Sequence, residues 1–379
     1  MIDRQYWQKK IEDAWSTRPI VWLSGVRRVG KTYLSRMLGD TVYLNCDLPS
    51  VSRQLEDPEA FFRSCREGAR IVLDEVHRLE DPSRVLKIAS DAYPQLHILA
   101  TGSSTLAATR KFRDSLSGRK WTIYLPPVLW SECQGDFNIP DLDRRLLHGG
   151  LPEPLLSDRK PVEFFSEWMD SFFARDIAEL FGVRDRTGFI ALLKLIIMQS
   201  GGMADLTKLS KSAGLSRPTV KNYIEAMAVA HAVFTVPPFH GGGSREIVRS
   251  PRLYAFDTGF VTFMRGWETL RDEDRGVLWE HLVLDSLRSS VPDGEITFWR
   301  DKNDREIDFV LKRRDGSADA IECKMNPDRF ETASLSVFRG LYPNGKNFVV
   351  CPFVDGEYVA TRGGKEIVFT SVQKLMEKR

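Results

Sequence analysis

The chain has 379 residues, a formal net charge of +2 and 42% hydrophobic residues, the balance of a soluble globular protein with room for two or three domains. So small a net charge excludes a global field for nucleic acid, so any such surface must be a local patch. Five cysteines scattered at 46, 65, 133, 323 and 351, an N-terminus without a signal-peptide core and no apolar stretch longer than Phe189–Met198 argue against disulfide scaffold, zinc site and membrane span, and for the cytoplasm.

Ile20-Val-Trp-Leu23 reads as a buried strand and Tyr33-Leu-Ser-Arg-Met-Leu38 as a helix. Between them lies Gly25-Val-Arg-Arg-Val-Gly-Lys-Thr32, a complete G-x-x-x-x-G-K-[ST] loop in its proper strand–loop–helix context. The glycines let backbone N–H groups and a helix N-terminus face phosphate, while Lys31 would reach the β- and γ-phosphates and Thr32 would hold Mg²⁺. Gly25, Arg27, Arg28, Val29, Gly30, Lys31, Thr32 and Tyr33 are therefore the candidate ATP contacts, with a simple basic rim as the plainer role for Arg27 and Arg28. Further strands are expected at Thr41–Asn45, Arg70–Asp74 and His97–Thr101, with helices at Pro58–Arg66 and Ser83–Tyr93. Such alternation implies a parallel sheet with ligand at the strands' carboxyl ends. Asp74 would complete the Mg²⁺ shell and Glu75 would polarise the attacking water. Thr101 or Ser103 would sit beside the γ-phosphate as a polar sensor, although a strand-ending turn reads equally well. Arg119 closes the region, either as an arginine finger acting in cis or from a neighbouring subunit of a homo-oligomer, or as a solvated arginine.

Gly25–Thr32, Leu73-Asp-Glu-Val76, Thr101-Gly-Ser-Ser104, Ser117-Gly-Arg119 and His148-Gly-Gly-Leu-Pro152 follow one another in an order seen in a large bacterial and archaeal family. Over essentially its whole length the chain resembles that family, AAA-type ATPases fused to an uncharacterised C-terminal domain. The resemblance implies a P-loop ATPase core; His77, where many relatives carry a polar amide, is a small departure.

Asp143 to Val183 reads as helices, and Phe164, Phe165, Trp168, Met169, Phe172 and Phe173 fall at helical spacing as a core stripe. A helix at Phe189–Gln199, then Asp205–Ala213, the turn Gly214-Leu-Ser216 and Arg217–Met227 read as a helix-turn-helix capped by Ser216. Val233–Pro237 and the Gly241–Gly243 turn would build a wing. Lys208, Lys211, Arg217 and Lys221 are candidate DNA-phosphate contacts, while a protein–protein module with a solvated basic face is the alternative.

Near the C-terminus Leu253–Asp257 reads as a strand, Gly276–Arg288 as an amphipathic helix, and Ile296–Arg300, Arg305–Leu311 and Ala318–Lys324 as strands. These would gather Glu280, Asp308, Glu322 and Lys324, with Glu322 and Lys324 on one face of their strand. Asp308 and Glu322 could hold Mg²⁺ against a phosphodiester, and Lys324 could orient water or neutralise charge. The set resembles the Asp…Glu-x-Lys motif of the restriction-endonuclease-like, PD-(D/E)xK fold.

The expected architecture is α/β: a P-loop ATPase core with a parallel sheet (1–128), a helical lid (129–186), a winged helix (187–250) and a nuclease-like α/β domain (251–379). The function expected is ATP-dependent DNA processing with Mg²⁺-dependent cleavage. The alternative is a nucleotide-gated switch whose nuclease-like domain binds DNA or protein without cutting.

Overall fold

The structure, a computed structural model, describes residues 2–102, 110–178, 181–241, 250–292, 294–354 and 356–378. The chain divides into two compact units, one of residues 1–126, 170–184 and 229–232, the other of 127–169, 185–228 and 233–379.

The first unit is built on β1 (Ile20–Ser24), β2 (Thr41–Asn45), β3 (Arg70–Asp74), β4 (His97–Thr101) and β5 (Lys120–Tyr124), all parallel in the order β2-β3-β4-β1-β5. The central strands are near-continuous apolar runs because helices cover both faces of a parallel sheet. Trp22, Leu73, Ile98 and Phe112 are wholly buried in this core. Helices Pro58–Ser64 and Pro82–Ala92 start where expected, since Asp57 and Asp81 accept from the third residue beyond them. β1 lies between β4 and β5 rather than beside β2, so the loop after β1 opens where the connections change direction, which is where α/β sheets bind ligands.

In the second unit β6 (Gly202–Met203), β7 (Val233–Val236) and β8 (Arg252–Ala255) form an antiparallel sheet in the order β6-β8-β7, accompanied by helices Arg186–Met198, Leu206–Ala213 and Arg217–Val229. A larger sheet contains β9 (Ile296–Arg300), β10 (Glu306–Lys312), β11 (Ala318–Cys323), β12 (Asn347–Val350), β13 (Tyr358–Arg362) and β14 (Lys365–Thr370). Its order is β13-β14-β12-β11-β10-β9, with β9, β10 and β11 antiparallel and β11, β12 and β14 parallel. Helix Asp272–Ser290 is anchored on it by Trp279, whose indole donates to the Val350 carbonyl at 2.9 Å.

Two expected boundaries need correction. The strand placed at the head of the C-terminal domain pairs with β7 and β6 instead, so the cut at 250/251 falls inside a sheet. The segment 129–186 is not one lid, because 127–169 belongs to the second unit and 170–184 to the first. The aromatic stripe is core, with Phe165 and Trp168 wholly buried and Trp168 stacked 4.7 Å from Phe256. All five cysteines are free thiols. Among the described residues no helix is long and apolar enough to cross a membrane. Of the wing turn, residues 242 and 243 lie outside the described residues.

Candidate functional site

The phosphate loop leaves β1 at Ser24 and enters helix Lys31–Met37. Gly25 has φ +153°, and a Cβ there would meet the Leu125 carbonyl oxygen at 2.6 Å, so only glycine lets the loop start so close to the end of β5. Val29 is buried and its carbonyl accepts from the Arg4 guanidinium at 3.3 Å, a brace that sequence reading did not find. Arg28 stands exposed at φ +61°, and Tyr33 is exposed with its hydroxyl accepting the Ile2 N–H at 2.9 Å. The Lys31 ammonium donates to the carbonyls of Gly25 (2.8 Å) and Val26 (3.1 Å). Burial lowers its pKa, while Glu75, Asp176 and Asp74 pull it back up.

Across β4 from this loop, β3 delivers Asp74, which is 2% exposed. Its carboxylate accepts from the hydroxyls of Tyr43 on β2 and Thr101 on β4, and the Thr101 hydroxyl in turn accepts the Glu75 N–H at 3.0 Å. Thr101 thus ties together the two acidic residues at the end of β3, and Ser103 lies outside the described residues. Glu75 sits at φ +56°, a left-handed conformation that costs a non-glycine residue and turns its side chain off the strand axis. His77 Nδ1 lies 3.2 Å from Glu75 Oε2, and this hydrogen bond is the main reason the carboxyl titrates below its usual range. A half-buried cation at a helix start and two carboxylates at the end of β3 are a donor set that fits a nucleoside triphosphate with Mg²⁺: Lys31 for the phosphates, Thr32 and Asp74 for the metal, Glu75 for water.

Arg119 is not brought to the loop. It precedes Lys120, which pairs with Ile20 at the far end of β1, about 16 Å of strand away from the loop end. There it forms a forked pair with Asp91, at 2.6 and 3.2 Å. A role in cis is ruled out by that placement, and a role in trans would have to break the pair. Arg27 is nearer the chemistry, 3.5 Å from Asp176.

In the second unit, β10 and β11 bring the expected acids together. Asp308 accepts the Cys323 N–H at 2.8 Å, and the Lys324 ammonium lies 2.9 Å from Glu322 and 3.9 Å from Asp308. Glu280, from helix Asp272–Ser290, accepts from the Tyr254 hydroxyl and from Arg252 at 3.0 Å. Burial, helped by the charge of Asp308, pushes Glu280 up to about 7 and Glu322 up to about 8. Arg252, only 5% exposed, also reaches Glu306 at 2.6 Å. Neither Arg252 nor Glu306 was picked out from sequence, although the spacing Arg252-x-Tyr254 on a strand does place both on one face. Asp308 and Glu322 could share a cation, and the raised carboxyl of Glu322 fits one, since a divalent ion would relieve the repulsion between the two acids. Among the described residues, no group of three or more His, Cys, Asp or Glu side chains is arranged to hold a metal.

Lys208, Lys211, Arg217 and Lys221 are all exposed. Arg217 donates to the Thr207 hydroxyl, and Lys221 lies 3.9 Å from Glu225. Tyr223 packs its ring 5.2 Å from that of Phe189.

Residues 17–134 match the family described as AAA domain. The first unit therefore carries a domain of the AAA, P-loop ATPase type. Residues 139–271 and 275–369 match two further families, each described as a domain of unknown function, DUF8612 and DUF4143. Similar chains include an uncharacterized protein of Mycobacterium tuberculosis, 26% identical over 325 residues, covering 82% of this chain and 72% of that one. Another is an uncharacterized protein of Methanocaldococcus jannaschii, 22% identical over 320 residues, covering 76% of this chain and 70% of that one. Among solved structures, a variant of Thermotoga maritima RuvB is 19% identical with a TM-score of 0.31, covering 62% of this chain and 90% of that chain.

Proposed function

We propose that the chain is an ATP-dependent DNA-processing protein. ATP hydrolysis in the first unit, by Lys31, Thr32, Asp74 and Glu75, drives a second unit that grips DNA and cuts it with Mg²⁺ at Asp308, Glu322 and Lys324, with Glu280 alongside. The observation that carries the cleavage reading is the meeting of two buried acids from adjacent strands with one lysine, 2.9 Å from Glu322. The raised Glu322 carboxyl there favours a bound cation, and a metal held against a phosphodiester stabilises the attacking and leaving oxygens. The order helix, short strand, helix, helix, strand, strand over 186–255 supports a winged-helix reading of the DNA grip, with four exposed basic side chains available to phosphates.

A second reading is favoured by one feature. Arg252 already bridges Glu280 and Glu306, as an internal cation beside the acids would do in a site that no longer cuts. The chain would then be a nucleotide-gated switch that binds DNA or protein without cleavage.

The test is incubation of the full chain with Mg²⁺ and linear, single-stranded and branched DNA. Cleavage is expected, and Asp308→Ala or Lys324→Ala should abolish it while ATP turnover persists. If no DNA form is cut, cleavage is wrong and the switch reading stands.

A further inference from the structure

Helix Val162–Phe172 runs into a wide π-helical turn, Phe173–Ala178, of the kind found at functional sites. Phe173 and Ile177 are buried and pin the turn within the first unit. Between them Asp176 presents a carboxylate, 21% exposed, whose Oδ2 lies 3.5 Å from Arg27 Nη1 and makes no hydrogen bond. Burial raises its pKa, and its strongest opposing influences are Arg27 and Lys31, both in the phosphate loop. Lys31 responds in kind, with Asp176 among the acids that oppose its own desolvation.

An ion pair held by charge alone and largely removed from water is a weak tie, since desolvation offsets most of the attraction. A triphosphate offers the same two cations more charge, and oxygens that suit a guanidinium fork and an ammonium. Both anions need Arg27. We propose that Asp176 is a further residue of the nucleotide site, competing with the γ-phosphate for Arg27. ATP displaces it, whereas ADP, lacking that phosphate, leaves it in place. The carboxylate therefore weakens ATP selectively and makes ATP the nucleotide that releases the turn Phe173–Ala178.

This rests on nucleotide binding at residues 25–32. It is tested by titrating the full chain with fluorescent ATP and ADP analogues. Asp176→Asn should tighten ATP about tenfold, a step of about 1.4 kcal/mol, and leave ADP within about twofold. That gain should shrink in an Arg27→Gln background. In the unsubstituted protein ATP, but not ADP, should speed hydrogen exchange over Phe173–Ala178. Asp176→Ser serves the same titration should the asparagine variant fail to fold. Unchanged or weakened ATP binding by the variants, with wild-type binding intact, overturns the proposal alone. Wild-type binding that survives Lys31→Ala, or no binding at all, overturns the site itself and this proposal with it.

Discussion

Arg145 shows what one buried cation can organise. It is fully buried, donates to the Val128 carbonyl at 2.8 Å and the Thr258 hydroxyl at 3.1 Å, and lies 3.7 Å from Asp285. Burial pushes Asp285 up to about 7 despite that arginine. A carboxyl raised in the fold binds its proton more tightly than in the unfolded chain. Its contribution is therefore present in full below the ordinary carboxyl range and is lost as pH rises through about 7. Asp285→Asn should remove that loss: thermal melts of variant and wild type should agree near pH 3 and diverge progressively up to about pH 7, the variant then being more stable on the order of a few kcal/mol. Parallel curves would show that Asp285 does not ionise in this range. At this scale Lys31, Thr32, Asp74 and Glu75 were legible because a loop and a strand end are local patterns. Arg145, Asp176 and Arg252 were not, because their partners lie far along the chain and no spacing announces them.

The motif His148-Gly-Gly-Leu-Pro152 acquires a reason at the scale of elements. The Asp257 carboxylate accepts the N–H groups of Gly150 at 2.6 Å and Gly259 at 2.8 Å, joining the end of helix Leu142–His148 to the start of helix Thr258–Met264. Gly149 has φ +86°, and a Cβ there would lie 2.0 Å from Asp257 Oδ1. Gly149→Ala should therefore cost more than about 2 kcal/mol, from backbone strain and from the displaced carboxylate, and lower the melting temperature by several degrees while ATP binding persists. A melting temperature equal to wild type would refute the packing argument. The helices and strands that the sequence marked fell within a few residues of expectation, because Asp and Ser caps and apolar runs mark them, whereas β5 and β12 to β14 were not expected. β8 was assigned to the wrong sheet for a plain reason: its residues specify a strand, but its partners are chosen by the rest of the chain.

For the whole molecule, the proposed DNA contact would turn on four exposed side chains rather than on the net charge of +2. Changing Lys208, Lys211, Arg217 and Lys221 to glutamine should flatten the salt dependence of DNA binding by a slope of about 3 to 4, as expected if each releases counterions at a phosphate. Anisotropy titrations across a salt series measure this, and an unchanged slope would move the DNA face elsewhere.

By itself the sequence determined that this protein carries an AAA-type ATPase domain, since the phosphate loop, the acidic end of β3 and the alternation around them are written in adjacent residues. It also placed an Asp…Glu-x-Lys set on two neighbouring strands. Only the tertiary structure decided which cations those acids meet, that Arg119 stands at the wrong end of its strand, and that Asp176 faces the phosphate loop. Those outcomes depend on desolvation and on charges brought together through space, and neither quantity exists until the chain has folded.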